Sequence, residues 1–183
     1  MNYRLLGAVF AVVLVSGCTS STTAPSSGTG MGTFSLYVSD QPSAISSFDY
    51  LNVTFDSARI FSDNFSEGND TGFRTFDLNS TVDLTRVVGD DAEKILERDL
   101  EPGTYRKVEL HTSDILGVVE NRTVEVKVPS EKLMITDDFE VSVNRTTEFV
   151  FDITVVKKGP NGYNLIPVIS ESGVVGQDVN ITR

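Results

Sequence analysis

The sequence predicts an all-β domain, a two-sheet antiparallel sandwich of prealbumin-like or immunoglobulin-like type carrying one short helix. Three observations lead there. Apolar and polar residues alternate at period two along most of the chain, clusters of turn-forming residues separate the alternating runs, and a single short stretch has helical spacing.

Each run reads as a strand with one buried face. Phe34, Leu36 and Val38 alternate with Ser35, Tyr37 and Ser39; Leu51, Val53 and Phe55 alternate with Asn52, Thr54 and Asp56. After Phe55 the apolar positions move to Ala58 and Ile60, which calls for a bulge near Asp56-Ser57, because one inserted residue exchanges the faces. The polar stretch SDNFSEGNDTG, Ser62 to Gly72, is too long for a tight turn and reads as the largest surface loop. Asp91 to Arg98, with Ala92, Ile95 and Leu96 at helical spacing, reads as the helix, and Asp90 or Asp91 as its cap. Further runs follow at Val108 and Leu110, at Val124 to Val128, at Phe139 to Val143, at Phe149 to Val155 and at Leu165 to Ile169, giving about eight strands. Pro102-Gly103, Glu120-Asn121-Arg122 and Gly159-Pro160-Asn161-Gly162 supply turns between them.

Ahead of this domain the composition is different. Arg4 precedes an apolar run from Leu5 to Val15, far short of the roughly 20 residues a spanning helix needs. Charged start, short apolar middle and small residues at the end make an export signal. Its last residues, Val15-Ser16-Gly17-Cys18, resemble the lipobox of bacterial and archaeal lipoproteins, in which the signal is cut before the cysteine and the sulfur carries lipid. Cys18 is the only cysteine, so it has no partner for a disulfide within the chain. The expected organisation is a signal peptide over residues 1–17, a lipid-anchored tether over 18–32 and one domain over 33–183. The tether, TSSTTAPSSGTGMG after Cys18, has no charge and a single long apolar side chain, so it cannot bury enough surface to offset ordering. Flexible-chain scaling gives it a reach of roughly 20 Å.

Charge and motifs narrow the chemistry. The net charge is −11, a surface that repels nucleic acid and anionic headgroups. Asn-x-Ser/Thr occurs at Asn52, Asn64, Asn69, Asn79, Asn121, Asn144 and Asn180, against about two expected from the Ser and Thr content, which points to N-glycosylation. His111, the only histidine, falls at the end of a strand running Tyr105 to His111, on the phase opposite Val108 and Leu110, and reads as exposed. No G-x-S-x-G elbow is present, one His without a usable Cys does not make a zinc site, and redox or haem ligands are missing, so no cofactor and no catalytic residue is assigned. Asp63, Glu67 and Asp70 supply oxygen donors of the kind calcium takes, but their spacing fails the EF-hand pattern. The doublet Asp137-Asp138 borders a predicted element.

The segments GTFSLYVSDQPSAISSFDYLNVTFDSARIF, VDLTRVV, LEPGTYRKVEL, VEVKVPS and FVFDITVVKKGPNGYNLIPVI, in this order, resemble domain of unknown function 4382 of archaeal and bacterial surface lipoproteins. The YVSDQP opening and the VKKG ending with its following Tyr, Leu and Pro-Val are similar to haloarchaeal members. The resemblance implies a β-sandwich on an exported, usually lipidated chain, with no established activity. Leu100 to Tyr105 also looks like the turn-into-strand of prealbumin-like and starch-binding-like sandwiches. The expectation is a non-enzymatic binding or adhesion module facing outside the cell, held to the membrane through Cys18, with a surface polysaccharide or an envelope protein as partner and no nucleic acid. The alternatives are an envelope glycan hydrolase using Asp or Glu, and a purely structural envelope component.

Intact-mass spectrometry of the protein from its native host checks the processing. The expected species starts at Cys18, is heavier than that polypeptide by a lipid increment and by discrete glycan steps, and Cys18→Ser leaves the detergent phase. A bare, unprocessed polypeptide mass contradicts both modifications.

Overall fold

The computed structural model describes residues 30–63, 72–160 and 162–182. Ten strands are seen among them: β1 Gly32–Asp40, β2 Tyr50–Ser62, β3 Phe73–Asp83, β4 Glu93–Leu100, β5 Gly103–Val119, β6 Arg122–Lys127, β7 Lys132–Val141, β8 Thr146–Lys158, β9 Gly162–Pro167 and β10 Gly173–Val174. They are joined by 3-10 turns at Ala44–Ser47, Leu84–Arg86 and Ile169–Glu171.

The all-β expectation holds, and the two-sheet sandwich does not. The strands form one nearly closed, barrel-like sheet in the order β3-β2-β5-β6-β9-β8-β1-β4, with β7 also paired to β5 and β10 to β8. β6 makes the difference. Its first half, Arg122 to Val124, lies antiparallel to β5, and its second half, Glu125 to Lys127, lies parallel to β9. The two expected sheets are therefore continuous. Alternation shows that one face of each strand is buried, but it carries no information about which edges meet. β3 and β4 come together at the open side without a ladder, leaving a shallow groove of about 290 Å³ between Asp77–Ser80 and Lys94–Arg98.

The expected helix over Asp91 to Arg98 is strand β4, and Asp90 and Asp91 cap nothing helical. Leu36 of β1 faces Leu96 and Tyr37 faces Lys94, so Ile95 is the extra residue of a bulge. That bulge turns two consecutive residues inward, Ile95 and Leu96, both buried. Together with Ala92 they imitate helical spacing. The bulge expected at Asp56-Ser57 is present, as a register shift between Phe55 and Ser57 against both β3 and β5. The last apolar run is shorter than expected, since β9 ends at Pro167 and Ile169 is exposed in a 3-10 turn.

The barrel interior is filled by side chains from every wall. Phe139 is stacked on Phe34 at 5.2 Å and on Tyr105 at 5.5 Å, and lies 5.1 Å from Phe149. Tyr105, buried, donates its hydroxyl hydrogen to the Glu101 carbonyl at 2.8 Å, which ties the Pro102-Gly103 turn to the core. At the other end Phe48 meets Tyr163 edge-on at 4.7 Å. Gly117 permits this packing, because a Cβ there would lie 2.9 Å from both the Phe48 ring and a Val126 methyl.

Truncating the central ring should cost far more than truncating a neighbour on the same strand. Phe139→Ala is expected to lower stability by about 3–5 kcal/mol, and Met134→Ala, at an exposed position, by no more than about 0.5 kcal/mol. Urea midpoints that move equally for the two variants would contradict this core.

Candidate functional site

β1 and β8 run parallel, with Ser39 opposite Asp152 and Asp40 opposite Ile153. Alternation sends Phe34, Leu36, Val38 and Asp40 inward and Ser35, Tyr37 and Ser39 outward. The outward side chains pair with acids on neighbouring strands: Ser35 with Glu97, Tyr37 with Glu148 at 3.0 Å, and Ser39 with Asp152 at 2.6 Å. The outer face of this part of the barrel is thus a ladder of hydroxyl-to-carboxylate hydrogen bonds.

Only the last rung is fully covered. The chain after β9 folds back over it: the Asp152 amide donates to the Ser172 hydroxyl oxygen at 2.9 Å, the Ser172 hydroxyl donates to the Val168 carbonyl, and β10 pairs with β8. The Thr182 amide then donates to the Asp90 carbonyl, fastening this segment to the β3–β4 connection. Gly173 makes the fold-back feasible. At φ 141° it has a backbone conformation side chains rarely adopt, and a Cβ there would lie 2.6 Å from Cβ of Asp178. Asp178 in turn accepts the Val174 amide at 2.8 Å.

Beside this cover, at the end of β1, is a half-open cavity of about 470 Å³, one wall of which is the C-terminal segment. Asp90, Asp152, Glu171 and Asp178 contribute carboxylates to it, with Ser39 and Gln41 beside them and no Lys or Arg on its lining. Asp152 is 1% exposed; its Oδ2 accepts the Ser39 hydroxyl, and its Oδ1 has no hydrogen-bond partner. Asp40 is wholly buried, both of its carboxyl oxygens are unpartnered, and it does not line the cavity. Its backbone is held by Val87 and Gly89, through the Asp40 amide to the Val87 carbonyl at 2.7 Å and the Gly89 amide to the Asp40 carbonyl at 2.9 Å.

Desolvation governs both acids. Burial, with the like charge of Asp152 added, raises the Asp40 carboxyl to about 8, so it is mostly protonated at neutral pH. Burial raises Asp152 to about 6; the Ser39 hydrogen bond opposes the rise, the charge of Glu171 reinforces it, and the neighbouring Gln41 side chain opposes it. Sequence reasoning missed both residues. The available signal was an acid inside an otherwise apolar strand, FVFDITVV for Asp152, and an acid continuing the inward phase of Phe34, Leu36 and Val38 for Asp40.

The residues singled out from the sequence are scattered. His111 lies in the middle of β5, not at a strand end, and is half-buried, with Nε2 3.8 Å from a Glu109 oxygen. Glu109 is buried; burial opposes its charge, but Lys132 and Lys107, each 3.1 Å away, outweigh burial and hold its pKa below the usual carboxylate range. Asp63 is exposed and pairs with Arg106 at 3.2 Å. Glu67, Asp70, Asn64 and Asn69 lie outside the described residues, as does Cys18. No group of three metal-ligating acids or histidines converges among the described residues. Asp137 and Asp138 sit within β7 rather than at its border. Asn121, at positive φ, occupies the exposed tip of the β5–β6 hairpin, and Asn144, also at positive φ, the exposed β7–β8 connection. Asn79 and Asn180 are exposed and Asn52 is half-buried in β2, while Asn180 also borders the acidic cavity.

The Asp40 shift sets a pH dependence of stability. An acid whose folded pKa lies above its unfolded value of 3.8 favours the fold while protonated, so its contribution is full below about 4 and is lost as pH rises to about 8. Asp40→Asn cannot ionise. Its melting temperature relative to wild type should therefore rise steadily from pH 4 to pH 8 and level off above, a relative gain on the order of a few kcal/mol. Parallel melting curves for the two proteins across that window would rule out a buried neutral Asp40.

No curated protein matches the chain. Among solved structures, the NMR structure of the protein from Eubacterium rectale aligns at 14% identity over 81% of this chain and 98% of that one, with a TM-score of 0.26, too low to carry an argument. The family model of the domain of unknown function DUF4382 matches residues 31–167, from the strand entry at β1 through the end of β9, and the chain belongs to that family.

Proposed function

We propose that this protein is an exported, lipid-anchored and N-glycosylated surface module that binds a ligand and does not catalyse. Anchoring at Cys18, a signal peptide before it and an outward-facing location rest on the sequence pattern alone; glycans on several of the seven Asn-x-Ser/Thr sites rest on their excess. Binding rests on one structural observation, the acid-lined cavity at the end of β1. Its position favours display. The described chain enters β1 beside the β7–β8 connection, where the Asn144 amide donates to the Met31 carbonyl, and the cavity lies at the other end of β1. Nine strand residues separate the two, about 25–30 Å. A domain tethered by its N-terminal side presents that end away from its attachment.

The non-enzymatic reading rests on the arrangement of the acids. Glycoside hydrolysis needs two carboxyl groups flanking one bond across a cleft. Asp40, the more strongly perturbed acid, faces the core and not the cavity, so the two acids whose pKa is raised most do not flank one cleft. A surface polysaccharide or an envelope protein is the partner class.

Full-length protein in detergent, probed against envelope polysaccharides and proteins with and without calcium and at high and low salt, tests this reading. Saturable binding without product is expected. Turnover that vanishes in Asp152→Asn while the fold persists would replace the module by the hydrolase, and a complete lack of binding would leave a structural component.

A further inference from the structure

We propose that Asn79 carries an N-linked glycan that covers the unpaired edge of β3 at the open side of the barrel and keeps other chains from pairing with it. This inference rests on the reading of the chain as N-glycosylated, and it assigns one site and a role for the glycan there.

The sheet ends in two strand edges. Among the described residues β3 pairs only with β2 and β4 only with β1, and their outer edges face each other across the groove of about 290 Å³. Such an edge presents a row of amide and carbonyl groups that another extended chain can complete, and proteins guard it with charged side chains, proline, bulges or a cover. β4 is guarded by charge. Glu93, Lys94, Glu97, Arg98 and Asp99 make up most of its residues, and the bulge at Ile95 interrupts its regularity.

β3 is guarded over its first half only. Arg74 and Asp77 lie there, but from Leu78 to Val82 it reads LNSTV, with no charge and no proline. Asp83, which follows, is turned back onto the Leu51 amide and Thr85 and does not guard the edge. Within this run Leu78 and Asn79 stand against the single residue Asp56 of β2, because Phe55 pairs with Ser80 and Ser57 with Asp77. An extra residue of this kind is left out of the ladder and bends the strand, and the groove opens at this point, lined by Asp77 to Ser80. Leu78 and Ile95 give its wall an apolar part. A short, uncharged, β-prone run at an open edge is where extended chains associate.

The missing guard is encoded in the run itself. Asn79-Ser80-Thr81 is a glycosylation triplet. Asn79 is exposed and shares its outward phase with Asp77 and Thr81, while Phe76 and Leu78 pack toward the core. The other described triplets are placed differently: Asn52 lies in β2, which is paired on both sides, Asn121 and Asn144 lie in exposed connections, and Asn180 lies beside the acidic cavity. Among the described sites Asn79 alone stands on a free strand edge. A glycan is bulky and hydrated and has no amide row to extend a ladder, so it closes the edge without continuing the sheet.

Full-length protein from its native host, purified in detergent, tests this in two measurements. Glycopeptide mapping is expected to find glycan on Asn79 in most molecules. In analytical ultracentrifugation Asn79→Gln is expected to lose about half or more of the wild-type species to larger ones, whereas Asn79→Lys, which guards the edge with charge instead, keeps the wild-type distribution without a glycan. Asn121→Gln, at an exposed hairpin tip, removes a glycan elsewhere and should leave sedimentation unchanged. An unmodified Asn79 beside a modified Asn121 or Asn144 overturns this inference and leaves the glycoprotein reading standing; a chain bare at every site overturns both. A glycosylated Asn79 whose replacement by Gln leaves sedimentation unchanged, or self-association that Asn79→Lys does not relieve, overturns the role proposed for the glycan.

Discussion

The structure depends on how β6 divides its hydrogen bonds. Three of its residues complete the edge of β5 and the next three begin a parallel ladder with β9. Without that change of partner, β3-β2-β5-β7 and β9-β8-β1-β4 would be two separate sheets, each with exposed edges of the kind that invite pairing with other chains. With it, one surface curves round a single core. Val124 and Val126 pack against that core from β6 itself, so the hinge of the barrel is also part of its filling.

The same closure fixes where the acids go. Because β1 and β8 are parallel, both strands begin at the side where the described chain enters and both end together, which brings Asp40 and Asp152 to one end of the barrel. Pleating then separates them. One points into the core and takes on a proton to survive there; the other points outward, keeps a hydrogen bond from Ser39 and is buried only because the chain after β9 folds over it. Similar residues at adjacent register positions thus have different chemistry, decided by which face of one strand pair each occupies. Of the two, only Asp152 borders the cavity.

How much of this was legible depended on whether a property is local. Strand after strand was readable from alternation, as in Phe34-Leu36-Val38 and Phe149-Phe151-Ile153, and so was the bulge at Asp56-Ser57, since the change of phase is written in consecutive residues. Closure of the sheet was not, because it is a relation between β6 and β9, about forty residues apart in the chain. Strand β4 misled for a specific reason: a bulge at Ile95 puts two neighbours inward and produces the spacing of a helical face. At the site, Asp152 was visible as an acid in an apolar run, yet its burial comes from Ser172 and β10, which sequence alone could not bring near it.

The C-terminal segment therefore has a different task from the barrel it covers. Gly173 to Val174 adds only two ladder residues, and the rest of its hold on the domain is Val174 packed in the core and a few hydrogen bonds: the Asp152 amide to the Ser172 hydroxyl, the Val175 amide to the Glu148 carbonyl, and the Thr182 amide to the Asp90 carbonyl. Few bonds and exposed residues such as Gln177 and Asp178 mark a piece that opens at lower free energy than the barrel core. Asp152 lies behind this cover, and the half-open cavity lies beside it. The barrel supplies a rigid floor carrying the acid, and the segment supplies a roof that separates that acid from water, so the strength of any charge interaction at Asp152 is set by how firmly the roof is closed.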